Sequence, residues 1–368
     1  MQNLSTHLLA PFNMEMLSWK HIIFFLGTIV FSFLINHILL KFVRTLGIRN
    51  QNETTIRWSE QVKPALGGLS FYIVFLLSIT LHPFIFSYSA STIDFQFTGV
   101  IGAISLGFLM GLADDAYNTK PLLKLITQIS CGVILIYSGT YISVFDTHVL
   151  NYGLTILWVV GLMNSINMLD NMDGITTSIS LIITFTIFIL MLSNQEFETI
   201  SMTVVIGLLG TLFAFLYFNW NPSKMFMGDT GSQYLGVLLA ALSINYLWNP
   251  VTTSEFSISR QFLIPILTFI VPIVDTLTVV IKRVGNGKSP FIGGKDHTTH
   301  HLSYLGLTEK QVAIITALIS IVSSSMVIYL ISSIKEWNHI YTIIFSGYFL
   351  LVFITLFVIS KKNIDKSK

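Results

Sequence analysis

The sequence predicts an all-α, polytopic integral membrane protein of about eleven transmembrane helices. Of its 368 residues, 53% are hydrophobic and 10% charged, and mean hydropathy is +0.73, whereas a soluble domain carries about 25% charged residues. The apolar residues fall into eleven runs, each near the roughly 20 residues that a helix needs to cross a bilayer. In lipid such runs satisfy their backbone polar groups only as helices or closed barrels. The basic residues, in addition, are segregated to one side of the expected membrane.

In chain order, the run 19–43 is too long for a signal-peptide core and has no small-residue cleavage site after it, so it reads as an anchor. The run 66–82 opens behind Pro64-Ala-Leu-Gly67-Gly68, and 97–113 stops at Asp114-Asp115. Span 121–139 holds the single cysteine, Cys131, which has no internal disulfide partner and is expected to pack. Spans 150–168 and 174–194 nearly abut and are divided by the polar segment Asn164 to Asp173. Span 199–218 ends at Asn219, 231–247 follows Gly228-Asp229, and 261–281 leads into a basic loop, 282–301. Spans 312–334 and 338–360 complete the set. With no repeat, soluble domain or low-complexity linker, one membrane domain over 1–368 is expected, its chemistry within about 64–301.

Of the 20 Lys and Arg, all but Lys20, Arg260 and Lys335 fall on the side shared by the loops after odd-numbered spans. The positive-inside rule makes that side cytoplasmic, the N-terminus outside and the C-terminus inside. Every acidic motif lies on that same side, so distant segments can meet at one surface.

Four constellations carry chemistry. Asp114-Asp115 end an apolar run and precede Lys120 and Lys124. Adjacent carboxylates at a membrane interface are costly unless hydrated, paired or bound to a cation. They either stop the helix in water or hold a proton, a Lys or a metal. Lys124 either snorkels to the headgroups or holds a substrate phosphate. In Asn164-Ser-Ile-Asn167-Met-Leu-Asp170-Asn-Met-Asp173-Gly174 the polar residues recur at every third position, on adjoining parts of one helix face. They offer the oxygens that hard cations prefer, and the alternative is capping of a re-entering helix. Asp229 stands between Gly228 and Gly231 where a helix begins, a place that favours phosphate and equally a plain N-cap. Phe226 either stacks on a base or packs. The loop Lys282-Arg283 to Lys295-Asp296-His297-Thr-Thr-His300-His301 suits pyrophosphate, or is a solvated basic loop. Its three His come without Cys, so a hard ion is expected rather than zinc.

In order and between the expected spans, these motifs resemble the polyprenyl-phosphate N-acetylhexosamine-1-phosphate transferases of glycosyltransferase family 4. They are Asp-Asp with Lys124-Leu-Ile-Thr-Gln128, Asn164-x-x-Asn167-x-x-Asp170-x-x-Asp173-Gly174, and Met227-Gly228-Asp229-x-Gly231-Ser232. The resemblance covers most of the chain. It implies transfer of a sugar-1-phosphate from a UDP-N-acetylhexosamine to undecaprenyl phosphate, with release of UMP, at the cytoplasmic face of a bacterial inner membrane. Mg²⁺, with Mn²⁺ as the alternative, would be bound by Asn167 and Asp229. Asp170, Asp173, Asn219 and Phe226 correspond to positions around the uridine. Asp114, Asp115, Lys124, His297 and His300 correspond to catalytic positions, an aspartate of the pair being the base often invoked. Asn171 stands where many relatives have Gly, and His301 where relatives have Arg, so a His301→Arg exchange is expected to be tolerated. The muramyl-pentapeptide branch has three consecutive His and ten spans, so plain GlcNAc is the expected sugar and that branch the alternative. The lipid bilayer is the expected environment, with no nucleic-acid partner, and the choice between monomer and homodimer is open. A transporter would place its polar residues near the midplane and show repeats, which disfavours that class.

Overall fold

The computed structural model describes residues 17–46, 64–86, 94–197, 199–249, 257–289, 294–334 and 336–362. Arg49, Arg57, Lys63, Lys335, Lys366 and Lys368, part of the basic-residue count, lie outside them. Within these residues the structure is helical: α1 Trp19–Leu46, α2 Gly67–Ile85, α3 Phe95–Tyr117, α4 Pro121–Tyr137, α5 His148–Leu169, α6 Ile175–Ser193, α7 Ile200–Asn219, α8 Gly228–Ser243, α9 Ile258–Thr268, α10 Ile270–Gly285, α11 Thr298–Tyr304, α12 Glu309–Ser333 and α13 His339–Lys362. A π-helical turn, Ile244–Trp248, extends α8, and an isolated parallel bridge joins Ala65 to Phe226.

Among the described residues, 8 helices are long and apolar enough to cross a membrane, or 9 spans if the bent pair α9–α10 counts as one. The other two runs expected to span form shorter helices. α4 has 17 residues, about 25 Å at 1.5 Å per residue, and α8 has 16 before its π turn. The expected straight span 261–281 is broken at Phe269, where α9 and α10 meet at 87°. Proline supplies the cause. Pro265 lies inside α9 and Pro272 in the first turn of α10, and a proline ring both removes an N–H and clashes with the preceding turn. A further correction concerns the segment 164–173. Asn164 and Asn167 lie on the last turns of α5, so the connection to α6 is only residues 170–174.

α8 is the axis of the molecule. All its residues from Thr230 to Ser243 are buried, and it packs against α2, α3, α5 and α6. Lipid offers no hydrophobic drive between helices, so small residues that admit close backbone approach make such contacts. A Cβ on Gly111 would stand 2.3 Å from the Asp229 carbonyl oxygen and 2.6 Å from Thr230 Cα. On the periphery, α1 and α13 expose apolar side chains such as Ile23, Val30, Ile343 and Leu351, the surface expected against acyl chains. The C-terminal ends of α3, α5, α7 and α10 and the N-terminal ends of α2, α4, α6, α8 and α12 gather at one end of the bundle. That gathering is seen in hydrogen bonds from Gly67 to Phe226, from Asn167 to Asp229 and from Asn221 to Glu309.

Gly111→Ala should force α3 and α8 apart. The expected loss is about 1–3 kcal/mol, the scale for overpacking a close-packed contact, read as a lower melting temperature in detergent; an unchanged melting curve would contradict so close an approach.

Candidate active site

Four helices each direct one polar side chain to a common point at the gathered end. Lys124, on the first turn of α4, forms ion pairs with Asp114 of α3 and, at 3.2 Å, with Asp229 of α8. Asn167, near the end of α5, donates from Nδ2 to Asp229 Oδ1 at 2.8 Å and to Ser232 Oγ at 2.8 Å. Asp114 is buried and accepts in addition from the Thr119 N–H at 2.8 Å and the Thr119 hydroxyl at 2.7 Å. The side chain of Asp229 keeps 33% of its surface exposed and that of Lys124 28%. This layer is thus open on one side.

Asp115 points the other way. Its Oδ1 accepts from the Asp229 N–H at 3.0 Å, and its Oδ2 from the Thr230 N–H at 2.8 Å and the Thr230 hydroxyl at 2.6 Å. These N–H groups belong to the first turn of α8, where a helix has no partners of its own to offer, so Asp115 caps a helix on a neighbouring element. Asp229, in that first turn, does not cap its own helix, and the N-cap residue is Met227. Gly228 has φ +73°, and a Cβ there would stand 2.6 Å from Asp115 Oδ2. Only glycine meets both conditions.

The expected uridine residues divide into two kinds. Asp170 closes α5 and is half-buried, and Phe226 is half-buried with its backbone bonded to Pro64 and Gly67. The Pro-x-x-Gly-Gly entry therefore holds the Phe226 loop in place. Asn219 and Asp173, by contrast, are buried and engaged internally. Asn219 Oδ1 accepts from the Thr177 hydroxyl at 2.7 Å and the Gly174 N–H at 3.2 Å, while its Nδ2 donates to Met225 O at 3.0 Å. Asp173 accepts from the Ser223 N–H at 2.8 Å and hydroxyl at 2.7 Å. Both shape the turn at Gly174, which has φ +77°, and the 219–227 loop.

The histidine segment forms the short helix α11. Asp275 of α10 organises it, accepting from the Thr298 N–H at 2.7 Å and hydroxyl at 2.6 Å and bonding His297 Nδ1 at 2.8 Å. Thr299 donates to Asn171 Oδ1 at 2.7 Å, which docks α11 on the 170–174 connection. Arg283 clasps Asp296 with two bonds, 2.8 and 2.6 Å. Burial alone would raise the Asp296 carboxyl, but this guanidinium outweighs it and holds the group below the usual carboxylate range. His301 is turned away to Lys282 Nζ at 2.7 Å; it is fully buried, and burial with the Lys282 ammonium pushes it down to about 4. His301→Arg would set a second cation against Lys282, so the position favours a neutral imidazole over the Arg that the resemblance would allow.

Sequence reasoning missed Asp275, although an acid in the middle of an apolar run marks a functional or structural centre by default. It also missed Thr119 and Ser223, hydroxyl residues with no periodic signal.

With this geometry in view, comparison with known proteins bears on the central segment. Residues 97–247 match glycosyl transferase family 4. The match holds α3 to α8 and thus the whole Asp114–Lys124–Asn167–Asp229 layer. A probable undecaprenyl-phosphate N-acetylglucosaminyl 1-phosphate transferase of Bacillus subtilis (strain 168) is 29% identical over 283 residues, 74% of this chain and 75% of that one. A decaprenyl-phosphate N-acetylglucosaminephosphotransferase of Mycobacterium leprae (strain TN) is 28% identical over 281 residues, 68% and 69% of the two chains. A phospho-N-acetylmuramoyl-pentapeptide-transferase of Streptococcus agalactiae serotype Ia is 28% identical over 274 residues, 67% of this chain and 76% of that one.

His300 yields a pH prediction. Burial pushes its imidazole down to about 3 from an ordinary 6.5, so the unfolded chain binds a proton that the folded one refuses. Stability should fall as pH drops from about 6.5 towards 3, and His300→Gln should weaken that slope in melting curves taken across this range. An equal slope in both proteins would contradict the assignment.

Proposed function

We propose that this chain transfers N-acetylhexosamine 1-phosphate, principally GlcNAc-1-phosphate, from a UDP-sugar to undecaprenyl phosphate. The product lipid-pyrophosphoryl sugar would start a cell-envelope polysaccharide. The observation that carries this reading is the convergence of Asp114, Lys124, Asn167 and Asp229 at one end of the bundle, within the segment matched to the family. The Bacillus subtilis relative, named as an N-acetylglucosaminyl 1-phosphate transferase, aligns with 74% of this chain, and the Streptococcus agalactiae muramyl enzyme with 67%. The run His297-Thr-Thr-His300-His301 also lacks the three consecutive His of the muramyl branch.

In this reaction an oxygen of the lipid phosphate attacks the sugar-bearing phosphorus of the donor. A new P–O–P link forms, the old one breaks, and UMP leaves. Phosphoryl transfer asks a protein mainly for positioning and charge compensation. Lys124 is the residue suited to hold a phosphate oxygen between Asp114 and Asp229, and the Arg283–Asp296 pair holds the neighbouring loop in place. The lipid phosphate is already ionised at neutral pH, and Asp115 has both oxygens engaged at the start of α8. Helix capping thus accounts for Asp115 without a proton-transfer role. His297, fixed through Nδ1 by Asp275, has its other nitrogen left to donate to a bound phosphate.

The donor set suits Mg²⁺, or Mn²⁺ in its place. Asp229 with Asn167 would hold the ion, the amide oxygen of Asn167 replacing its nitrogen by a turn of the side chain. Such an ion keeps several waters and takes substrate phosphates as ligands, so two protein groups suffice to anchor it. When bound, it would offset charge on the phosphates. The basic-residue distribution supports a cytoplasmic site, and the eleven apolar runs of the sequence support eleven spans in a bacterial inner membrane, with α4 and α8 as the two short ones; a homodimer is compatible with the exposed apolar faces.

Labelled UDP-GlcNAc and undecaprenyl phosphate should give labelled lipid and free UMP, with activity lost in EDTA and restored by Mg²⁺ or Mn²⁺. Asp229→Asn should lower turnover by about 10²-fold or more, the scale for removing one charge-stabilising group, while the protein stays in the membrane. Label from UDP-MurNAc-pentapeptide but not from UDP-GlcNAc would shift the assignment to the muramyl branch. Full activity in EDTA would remove the metal.

Topology is open to cysteine labelling, because the single native Cys131 is buried. Lys288→Cys, in the exposed segment after α10, should react only from the cytoplasm. Asp146→Cys, in the exposed connection between α4 and α5, should react only from outside; the reverse pattern would invert the molecule.

A further inference from the structure

Below the Asp114–Lys124–Asn167–Asp229 layer lies a second one made of amides. Gln128 follows Lys124 by four residues on α4, Asn164 precedes Asn167 by three on α5, and Gln233 follows Asp229 by four on α8. Spacings of three and four place each pair on one helix face, so each of these helices contributes one residue to each layer. Gln128 Nε2 donates to Gln233 Oε1 at 3.2 Å and to Asn164 Oδ1 at 3.3 Å. Asn164 Nδ2 returns a bond to Gln128 Oε1 at 2.8 Å and donates a second to Val160 O at 2.8 Å. Gln128 and Gln233 are buried. None of the three carries charge, and Gln128 and Gln233 are buried where Asp229 is partly exposed, with Asn164 half-buried.

α4 packs on α3 and α5, while α8 packs on α2, α3, α5 and α6. At this end α4 is tied to α8 by two side-chain links, Lys124 to Asp229 and Gln128 to Gln233. The first is partly exposed and belongs to the groups that must turn to phosphate and cation during transfer. The second is buried and neutral. We infer that Gln128, Asn164 and Gln233 are positioning residues, an amide layer that keeps α4, α5 and α8 in register while the Lys124–Asp229 pair opens to the substrates. The inference rests on the transferase reading above, since it assigns the amides a task only while the upper layer is engaged in transfer.

A purely structural network and a positioning network differ in what happens when the whole layer becomes apolar. Removing one partner leaves buried polar groups unpaired and costs stability, whereas replacing all partners by apolar groups of similar shape is nearly neutral. The test therefore compares wild type, Gln128→Met, and the triple variant Gln128→Met, Asn164→Leu, Gln233→Met. All are purified in detergent and measured for melting temperature, kcat and KM with UDP-GlcNAc and undecaprenyl phosphate. For positioning, the triple variant should melt within a few degrees of wild type, yet show kcat lower by about tenfold or more, since small misplacements of reacting groups can cost up to 10²-fold. Its KM for the donor should change far less than its kcat. Gln128→Met should lose kcat to a comparable extent, because the layer acts as a unit. A triple variant that melts like wild type and turns over like wild type overturns the inference. So does a fall in kcat that only mirrors the loss of folded protein, and so does a Gln128→Met variant with near wild-type kcat per folded molecule. Absence of transfer by wild type itself, with either UDP-sugar, would instead count against the transferase reading; the ratio of variant to wild type judges the amide layer alone.

Discussion

The start of α8 depends on a carboxylate from another helix. Asp115 satisfies the first-turn donors of Asp229 and Thr230, groups that lipid cannot satisfy and that a helix cannot pair for itself. The cap fixes where α8 begins, and hence where the Asp229 side chain emerges. It also requires α3 and α8 to approach closely, which Gly111 and Gly228 allow. Because α8 is buried along its length, the helices around it inherit their positions from this junction.

The adjacent acids Asp114 and Asp115 therefore do unlike work. Neighbouring positions on a helix point about 100° apart at 3.6 residues per turn, so one carboxylate reaches Lys124 and the open layer while the other reaches the backbone of α8. The same division recurs at 170–174. Asp170 stays half-buried at the surface of the site, whereas Asp173 and Asn219 are taken up in fastening the 219–227 loop. Much of the polar content of this membrane protein is thus structural support for a few exposed groups. Buried polar side chains in such a setting are tolerated when their bonds are made, and Asp115, Asp173 and Asn219 make theirs between elements.

The break between α9 and α10 links the distal part of the chain to the site. After the 87° turn, α10 carries Asp275 towards α5, where Thr276 bonds Ser165 at 2.9 Å. Asp275 then caps α11 and fixes one nitrogen of His297, and Thr299 meets Asn171 on the connection after α5. A straight span would not bring these groups together in the same way. The two prolines that interrupt the helical bonding thereby bear on the geometry of the histidine segment.

The amino-acid sequence by itself determined the helical membrane class, the approximate ends of most helices and the family to which residues 97–247 match. Lipid imposes long apolar runs, and motif residues at fixed spacings survive as readable signals. It also marked Asp114, Lys124, Asn167 and Asp229 as residues that would meet. Tertiary structure alone decided which oxygen faces which donor. That Asp115 caps α8, that Asn219 and Asp173 turn inward, that His301 faces Lys282, and that Asp275 holds α11 all depend on contacts between residues far apart in the chain. Such contacts leave no periodic trace, because a hydrogen bond is decided by direction over a few ångströms, and helix rotation and the bend at Phe269 set those directions only once the bundle is packed.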